Sequence, residues 1–400
     1  MKLGLIETSA VASVLLLAGY AIRRLVPPLE RVNMPAPVIG GLIAAVGMLI
    51  ARVMELPAVE FDTSPQQPLM IAFFTSLGFA ASVRLLRAGG LQVLVLLALC
   101  SVFAILQNLL GIAIATAFGL HPLFGVITGS VTLTGGPATG LAFAPLFEQA
   151  GVTGAATVAI TTAMAGIILG SLVGAPLATA LIERRGLRPK TVAHSPCHSI
   201  DAEEHTEPRD EGTRVVMVLK TITIFLLAMW LGSWISAAIQ RSGLTMPAYI
   251  GAMLAASALR NLDDVTGWLK LPHRYIDVAG AVTLSLFLVM AMMTLDLLKL
   301  SSLAGPLLIV IVAQLLLVML AFLWPLYQWM GRDYDAAVIS GGFAGFMLGT
   351  TANAMAVMRS LVERYGAAPR AFLVAPLVGA FFMDFTNALI ITAFLNLLGG

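Results

Sequence analysis

The sequence predicts an all-α polytopic membrane protein built from two inverted repeats, each with five transmembrane helices and one re-entrant hairpin made of a broken helix. Three observations lead to this prediction. Of the 400 residues, 59% are hydrophobic and only 11% are charged, whereas soluble proteins carry about 25% charged residues. Two apolar stretches, 123–151 and 336–366, are each interrupted by a run rich in Gly and Thr. The Lys and Arg residues also concentrate on one side of the topology that follows.

Ten apolar segments are long enough to cross a membrane as helices. In the first half they lie near 6–26, 36–54, 68–83, 91–118 and 152–182, with a broken hairpin at 123–147. In the second half they lie near 215–240, 245–260, 275–298, 302–330 and 368–398, with a broken hairpin at 336–358. We therefore expect residues 1–182 to form the first transmembrane repeat and residues 215–400 the second.

A polar segment, 183–214, separates the two halves. It is rich in charged residues, Pro and Ser and poor in aliphatic residues, a composition typical of a flexible linker. Four of its side chains are of metal-ligating types, but their spacing matches no strong zinc pattern. These four are His194, Cys197, His198 and His205. The interpretation that we favour is a solvated cytoplasmic linker without a metal.

Two pairs of segments indicate that the halves are repeats. The segment MPAPVIGGLIAA (34–45) aligns with MPAYIGAMLAA (246–256) after one gap. The hairpin endings LFEQAG (146–151) and LVERYG (361–366) align at nearly the same offset. Internal repeats of this size are a fold-level signal in transporters.

The distribution of positive charge predicts the topology. If each hairpin enters and leaves on one side, each half crosses the membrane five times, and an odd number of crossings inverts the second half. With the linker in the cytoplasm, 19 of the 23 Lys and Arg residues fall inside, as the positive-inside rule requires. The four left outside are Lys2, Arg52, Arg241 and Lys299. Both termini are then outside, and the two hairpins enter from opposite sides.

The interruptions of the two hairpins are the candidate solute site. The first tip, TGGPATG (134–140), offers Thr134 as a helix N-cap and Pro137 for the first helical turn. The second tip offers Thr350, Thr351 and Asn353 as caps. Backbone groups freed at such a tip must line a protein cavity, because lipid cannot satisfy them.

Two helix N-termini that face each other would suit an anion. Each carries roughly half a positive charge and free N–H donors, which favour a carboxylate. The alternative is that these small residues only pack helices closely, as they often do in membranes. The candidate substrate-binding residues are Thr134, Gly135, Gly136, Thr139, Thr350, Thr351 and Asn353.

A few polar residues deep in the apolar segments are the other candidates. Asp384 and Asn387 share one helix face in the last segment, and their oxygens suit Na⁺ or a proton relay. The alternative for Asp384 is a structural role in capping backbone amides of a hairpin. Gln107 and Asn108 would contact a solute or tie helices together, and Thr161 would add a hydroxyl ligand unless it bonds back to its own helix. Asp296, beside Lys299, is expected at the membrane interface.

The motifs of several other functional classes are absent from the sequence. There is no phosphate-binding Gly-Lys-Ser/Thr loop for ATP-driven pumping, and neither HExxH nor Gly-x-Ser-x-Gly occurs. We therefore expect no enzyme activity and no cofactor. Na⁺ is the coupling ion expected at Asp384 and Asn387, with a proton relay as the alternative. The expected partners are a small anionic solute, Na⁺ and the lipid bilayer, with no nucleic acid.

Several segments spread along the chain resemble the bacterial sodium/glutamate symporter family. They are PLMIAFFTSLGF (68–79), LRAGG (86–90), QNLLGI (107–112), the paired Gly of the first tip, DYDAAV (333–338), AMAVM (354–358) and PLVGAFFMDFTNALI (376–390). The resemblance implies two inverted five-helix repeats with re-entrant hairpins, a homodimer in the inner membrane and Na⁺-driven uptake of an anionic amino acid. It also suggests an elevator-like movement of the hairpin-bearing part against a fixed scaffold.

Both tips depart from the family pattern. Where the family has a SGGHGTG-type first tip, this chain has Pro137 and Ala138 in place of His and Gly. Where the second family tip runs like GATPTAMANM, this chain has Ala352, Asn353 and Val357 in place of Pro, Thr and Asn. Asp384 and Asn387 match the family pattern, so Na⁺ coupling is carried over more directly than glutamate specificity.

Three functions therefore remain in view. The first is Na⁺-coupled uptake of glutamate or a related small carboxylate. The second is a proton-coupled carboxylate carrier, or an exchanger of another amino acid or a dicarboxylate, that uses Asp384. The third is a membrane sensor or scaffold that binds a solute without moving it.

Overall fold

The computed structural model describes residues 2–31, 33–55, 59–88, 90–189, 211–241, 246–295 and 304–399. The predicted linker residues His194, Cys197, His198 and His205, and the pair Asp296 and Lys299, lie outside these ranges. Helices extend into both ends of the predicted linker, because one helix runs to Arg185 and the next begins at Glu211.

The first half of the chain forms nine helices among the described residues. They are α1 (Leu5–Leu25), α2 (Pro27–Arg31), α3 (Ala36–Val53), α4 (Gln66–Ala80), α5 (Val83–Ala88), α6 (Gly90–Ala117), α7 (Pro122–Val126), α8 (Gly136–Gln149) and α9 (Ala155–Arg185). A wide helical turn, Ile127–Val131, follows α7. Two short strands, β1 (Lys2–Leu3) and β2 (Glu60–Phe61), pair in parallel.

The second half also forms nine helices in its described part. They are α10 (Glu211–Arg241), α11 (Tyr249–Thr266), α12 (His273–Met293), α13 (Ala304–Ala321), α14 (Tyr327–Trp329), α15 (Tyr334–Met347), α16 (Thr351–Tyr365), α17 (Pro369–Leu377) and α18 (Met383–Leu398). Wide turns also occur here, at Phe322–Leu326 and Val378–Phe382.

Seven helices in the described ranges are long and apolar enough to cross a membrane. They are Leu5–Leu25, Ala36–Val53, Gly90–Ala117, Ala155–Arg185, Val215–Arg241, His273–Met293 and Ala304–Trp329. The prediction of a helical, multi-pass membrane protein is confirmed at this level. A helix also occupies each of the other three predicted segments, where α4, α11 and the pair α17 and α18 lie.

Two predicted segments are interrupted instead of continuous. The segment 302–330 contains the wide turn Phe322–Leu326, and 368–398 contains the wide turn Val378–Phe382. Pro325 lies in the first turn and Pro376 just before the second. Proline lacks the N–H that would bond four residues back, so the regular helical ladder cannot continue unchanged.

The helices pack as two groups. The first group contains α1, α3, α4, α10, α11 and α12, which pack mainly on one another. The second contains α6 to α9 and α13 to α18, and it includes both broken stretches. We call these the outer group and the hairpin group.

Close glycine crossings hold the outer group together in both halves. A Cβ at Gly40 of α3 would lie 2.2 Å from Leu15 O of α1. A Cβ at Gly251 of α11 would lie 2.2 Å from Gly232 O of α10. Both crossings therefore exclude any larger residue, and they bring each backbone pair into contact. Gly40 and Gly251 occupy matching positions in the aligned segments 34–45 and 246–256.

Aromatic side chains join the two groups. Phe74 of α4 stacks on Tyr249 of α11, with ring centroids 3.7 Å apart. Phe143 of α8, in the hairpin group, meets Tyr249 edge-on at 6.1 Å. This contact between the groups is made by aromatic rings, which prefer offset-stacked and edge-on arrangements such as these.

Candidate functional site

Both predicted interruptions are breaks in helical structure. In the first half the break begins before the predicted run, because Gly129 has non-helical backbone angles (φ −98°, ψ −127°). Thr134 and Gly135 are also outside helix, and α8 begins at Gly136, so 136–140 is helical. A Cβ at Gly129 would lie 2.7 Å from Asn108 Oδ1, so glycine permits this close approach. In the second half, α15 ends at Met347 and α16 begins at Thr351.

The two tips touch each other. A Cβ at Gly136 would lie 3.2 Å from Thr350 Cγ2 and 3.7 Å from Gly349 O. Gly136 also has φ +70°, a conformation that side chains rarely adopt. The N-termini of α8 and α16 therefore converge at one point, although Gly136 and Thr350 are distant in sequence.

Gln107 of α6 bridges the two tips from one side. Its Nε2 donates to Met347 O at 2.9 Å, and its Oε1 accepts from Thr134 Oγ1 at 2.7 Å. Gln314 of α13 in turn donates to Gln107 O at 2.7 Å. All three of these polar side chains are buried. The helix-tying role that the sequence left open for Gln107 is the one that these contacts support.

The predicted N-cap role of Thr134 is wrong. Gly135 is the residue before the first helical position of α8, and no side chain caps that end. The Thr134 hydroxyl is used by Gln107 instead. Pro137 does lie in the first helical turn, as predicted. Because no side chain covers them, the first N–H groups of α8 stay available to a ligand.

The second tip is held by neighbouring helices. Thr350 occupies the N-cap position of α16, but its hydroxyl donates to Asn353 Oδ1 at 3.2 Å and does not cap the backbone. Asn353 Nδ2 donates to Ile167 O of α9 at 2.8 Å. Thr351 Oγ1 donates to Gly379 O at 3.0 Å, within the wide turn Val378–Phe382. The expected side-chain cap is therefore absent here too, and the three side chains anchor the tip.

Two remaining candidates make local contacts. The Thr161 hydroxyl donates to Thr157 O at 2.9 Å, within its own helix. This is the back-bonding alternative that the sequence left open for it. Thr139 is buried one turn into α8, where its side chain closely approaches Gly135.

Ser130 lies at the centre of a second polar cluster, which the sequence reasoning missed. Its backbone N–H donates to Asn108 Oδ1 at 2.9 Å. Its carbonyl accepts from Asn387 Nδ2 at 2.9 Å. The sequence predicts Asn108 and Asn387 as candidate residues, but it does not predict that both bond to the backbone of Ser130. The run Thr128-Gly129-Ser130 inside an apolar stretch was the available signal.

Asp384 lies in the first turn of α18, one turn before Asn387. It is partly exposed, and no hydrogen bond or ion pair to its side chain is present in the described part of the chain. It therefore caps no hairpin amide, which removes the structural alternative considered for it. The Asp384 carboxyl and the Tyr249 phenol are close enough to interact electrostatically. The buried Tyr249 hydroxyl has no hydrogen-bond partner among the described residues.

The chemistry of the two clusters is distinct. At the tips, two helix N-termini without side-chain caps present N–H donors, which suit a carboxylate. The Ser130 cluster contains hydroxyl, amide and carbonyl oxygens, and its member Asn387 lies one helical turn after the Asp384 carboxyl; oxygens of these kinds suit a hard cation. Within the described ranges, no three or more His, Cys, Asp or Glu side chains come together in a way that could hold a metal ion.

Two kinds of comparison relate the whole chain to known proteins. A family model for the sodium/glutamate symporter matches residues 1–367. A sodium/glutamate symporter of Escherichia coli strain K12 is 35% identical over 395 residues, which cover 98% of this chain and 97% of that protein. One of Haemophilus influenzae is 36% identical over 385 residues, covering 96% of this chain and 95% of that protein. The similarity therefore runs through both halves and both tips.

Proposed function

Because this chain belongs to the sodium/glutamate symporter family, we propose that it is a Na⁺-coupled secondary transporter that takes up glutamate or a related small carboxylate. The observation that carries the proposal is the meeting of two broken helices. The N-termini of α8 and α16 converge between Gly136 and Thr350, and Gln107 bridges them. A small anion held there would bond to backbone N–H groups from both halves of the chain.

The tips are the proposed solute site. Solute binding there is assigned to Thr134, Gly135, Gly136, Thr139, Thr350, Thr351 and Asn353. Backbone donors recognise a carboxylate whatever carbon skeleton bears it, so side chains must supply the discrimination. Here Pro137 offers no N–H, and Asn353 is committed to Ile167 and Ser171. Neither changed residue supplies a free polar group, so specificity among small carboxylates must come from side chains around the tips.

Asp384 and Asn387 are the proposed ion-binding residues. An unpaired carboxylate within an apolar segment is costly and marks a functional site by default. A bound Na⁺ would neutralise that carboxylate. The hairpin group would then carry no net charge at this site when it moves against the outer group. Asn108 holds the backbone of Ser130, which Asn387 also contacts, whereas Gln107 joins the two tips.

The architecture proposed with this function is a pair of inverted repeats, 1–182 and 215–400, joined by a cytoplasmic linker at 183–214. Each repeat crosses the bacterial inner membrane five times and carries one re-entrant hairpin, with both termini outside. The matching glycine crossings at Gly40 and Gly251, and the breaks at matching places in the two halves, support this arrangement. We also propose a homodimer.

The proposed movement is elevator-like, with the hairpin group shifting against the outer group. The support for it is the division of the helices into two groups and the contact at Phe74, Tyr249 and Phe143, where the rings meet without a hydrogen bond among the described residues. An apolar contact without hydrogen bonds can slide at low energetic cost, whereas the hydrogen-bonded tips would move as one body.

The test is uptake of radiolabelled glutamate into sealed proteoliposomes, with external Na⁺ replaced by K⁺ at constant ionic strength. We expect uptake with a Na⁺ gradient and none with K⁺. Uptake that persists in K⁺ with a pH gradient would instead establish the proton-coupled carrier. Absence of both net uptake and counterflow, with solute binding retained, would establish the sensor.

A further inference from the structure

Three buried polar atoms at Ser130, one of its own and two from side chains bonded to its backbone, lack hydrogen-bond partners in the described ranges. They are Asn108 Nδ2, Ser130 Oγ and Asn387 Oδ1. The three side chains come from α6, the wide turn 127–131 and α18, and all are buried. Because nearly all buried polar atoms in proteins are bonded, three unpaired atoms around one residue indicate a ligand.

The orientation of both amides is fixed by the backbone of Ser130. An N–H can only donate, so Asn108 must turn its Oδ1 toward Ser130 N. A carbonyl can only accept, so Asn387 must turn its Nδ2 toward Ser130 O. The atoms left over are therefore determined. Asn387 presents an acceptor oxygen, and Asn108 presents a donor.

The Ser130 hydroxyl is free because the helix is broken at Gly129. Two residues earlier, Thr128 Oγ1 donates to Phe124 O at 2.8 Å, which is the usual bond of a helical hydroxyl to the preceding turn. The non-helical angles of Gly129 turn Ser130 out of that register. The break thus releases one hydroxyl oxygen next to Asn387.

We propose that Ser130 Oγ and Asn387 Oδ1 bind the coupling Na⁺ together with the Asp384 carboxylate. This proposal rests on the proposed function. Hard cations of this kind take carboxylate, amide carbonyl and hydroxyl oxygens. Asp384 lies one helical turn from Asn387 on the same face of α18 and supplies the compensating charge. Asn108 cannot ligate a cation through its remaining N–H donor. It holds Ser130 in place, and a water ligand of the ion can accept from it.

This site would couple the ion to the solute through a short stretch of backbone. Ser130 O also accepts from Gly135 N at 3.0 Å, and Gly135 directly precedes α8. Thr134, its neighbour, bonds to Gln107, which reaches the second tip. An ion that orders Ser130 therefore orders both N-termini that would receive the solute, so we expect Na⁺ to bind first.

The experiment compares Ser130→Ala with Ser340→Ala in the purified full chain. Ser340 is a matched control because it is a buried serine of the other hairpin whose hydroxyl already donates to Ala336 O. Thermal unfolding is followed without solute while Na⁺ replaces K⁺ at constant ionic strength. We expect Na⁺ to stabilise the wild type, Ser130→Ala to need at least about tenfold more Na⁺ for the same shift, and Ser340→Ala to match the wild type.

The outcomes separate this site from the proposed function. If the wild type responds to Na⁺ and Ser130→Ala responds at the same concentrations, the cluster holds only ordered water and the site is excluded. If neither the stability nor the uptake of the wild type depends on Na⁺, Na⁺ coupling itself fails and the site fails with it. Ser130→Cys preserves size and replaces the oxygen by a poor Na⁺ ligand, so it gives the same decision if Ser130→Ala does not fold.

Discussion

The hydroxyl of Thr134 donates a 2.7 Å hydrogen bond to Oε1 of Gln107, whose Nε2 reaches Met347 O across the molecule. One buried amide thus ties the first tip to the end of α15. Since its donor and its acceptor are both used, Gln107 fixes the distance between two segments that the sequence keeps far apart. Thr134 Oγ1 also lies 3.5 Å from Met347 Sδ, so the same hydroxyl contacts the end of α15 directly.

Gln107→Leu should lower the thermal stability and weaken solute binding. The change leaves Met347 O without the Gln107 donor, which costs about 1–3 kcal/mol for a buried group. It also leaves the Thr134 hydroxyl with only the weaker acceptor Met347 Sδ. Unfolding of the purified protein, with and without glutamate, measures both effects. Gln92→Leu is the control, because Gln92 lies on the same helix and is only half-buried. Equal melting temperatures for the two variants would contradict the bridging role.

Gly136→Ala should abolish most uptake. Its φ of +70° costs a side chain about 1–2 kcal/mol, and the new Cβ would press on Thr350 Cγ2 from 3.2 Å. The added methyl group would therefore push the tips apart. Initial uptake rates in proteoliposomes give the result. Gly47→Ala should leave them unchanged, because nothing lies within 4 Å of a Cβ at Gly47. Wild-type uptake by Gly136→Ala would mean that the contact between the tips is dispensable.

Asp384→Asn should remove Na⁺-dependent uptake and leave expression intact. The amide keeps the size of the side chain but loses the charge that a bound cation needs, and no ion pair in the described part of the chain depends on it. Uptake at increasing Na⁺ measures the loss. Glu148→Gln, an exposed acid at the far end of α8, should behave as the wild type. Unaltered Na⁺ dependence in Asp384→Asn would exclude this carboxylate from the ion site.

Tyr249→Phe should reduce uptake, because it removes the phenol that interacts with the Asp384 carboxyl, and it should not lower stability. The ring keeps its stacking on Phe74, and the lost hydroxyl has no hydrogen-bond partner among the described residues. Tyr334→Phe gives the contrast, since Tyr334 OH donates to Gly366 O and its loss should cost about 1 kcal/mol. Melting temperature and uptake are measured on both. A destabilised Tyr249→Phe would reveal a structural bond that the hydroxyl makes.

Asp263→Asn should remove a stabilising contribution that depends on pH. Burial alone would raise the pKa of Asp263, but backbone N–H groups of Leu271, Lys270 and Leu269 donate to it and lower the pKa below its ordinary value. The contribution, about 1 kcal/mol, is thus present above the unfolded pKa and is lost as pH falls through the folded one. Melting temperatures of the two proteins should differ at neutral pH and converge in acid. A constant difference would refute the assignment.

The helical membrane class and the approximate position of both tips follow from the sequence. Long apolar segments with few charges satisfy their backbone groups in lipid as helices. At the predicted runs, helix is interrupted at Thr134 and Gly135 and at Leu348 to Thr350, whereas 136–140 and 351–354 are helical and the first break begins earlier, at Gly129. Asp384 was identifiable from the sequence because a lone acid in an apolar helix is expensive.

Which partners the polar groups take depends on how distant segments pack together. Threonine is a residue type that often caps helices, but the Thr134 hydroxyl donates to Gln107 Oε1 and the Thr351 hydroxyl donates to Gly379 O. Buried polar groups bond to the partners that tertiary packing places next to them. Ser130 looks ordinary in sequence, since a helical serine bonds to its own backbone. The break at Gly129, together with Asn108 and Asn387 arriving from distant helices, frees its hydroxyl. Local residues determine where a helix can end, and long-range packing determines which hydrogen-bond partners the residues at that end find.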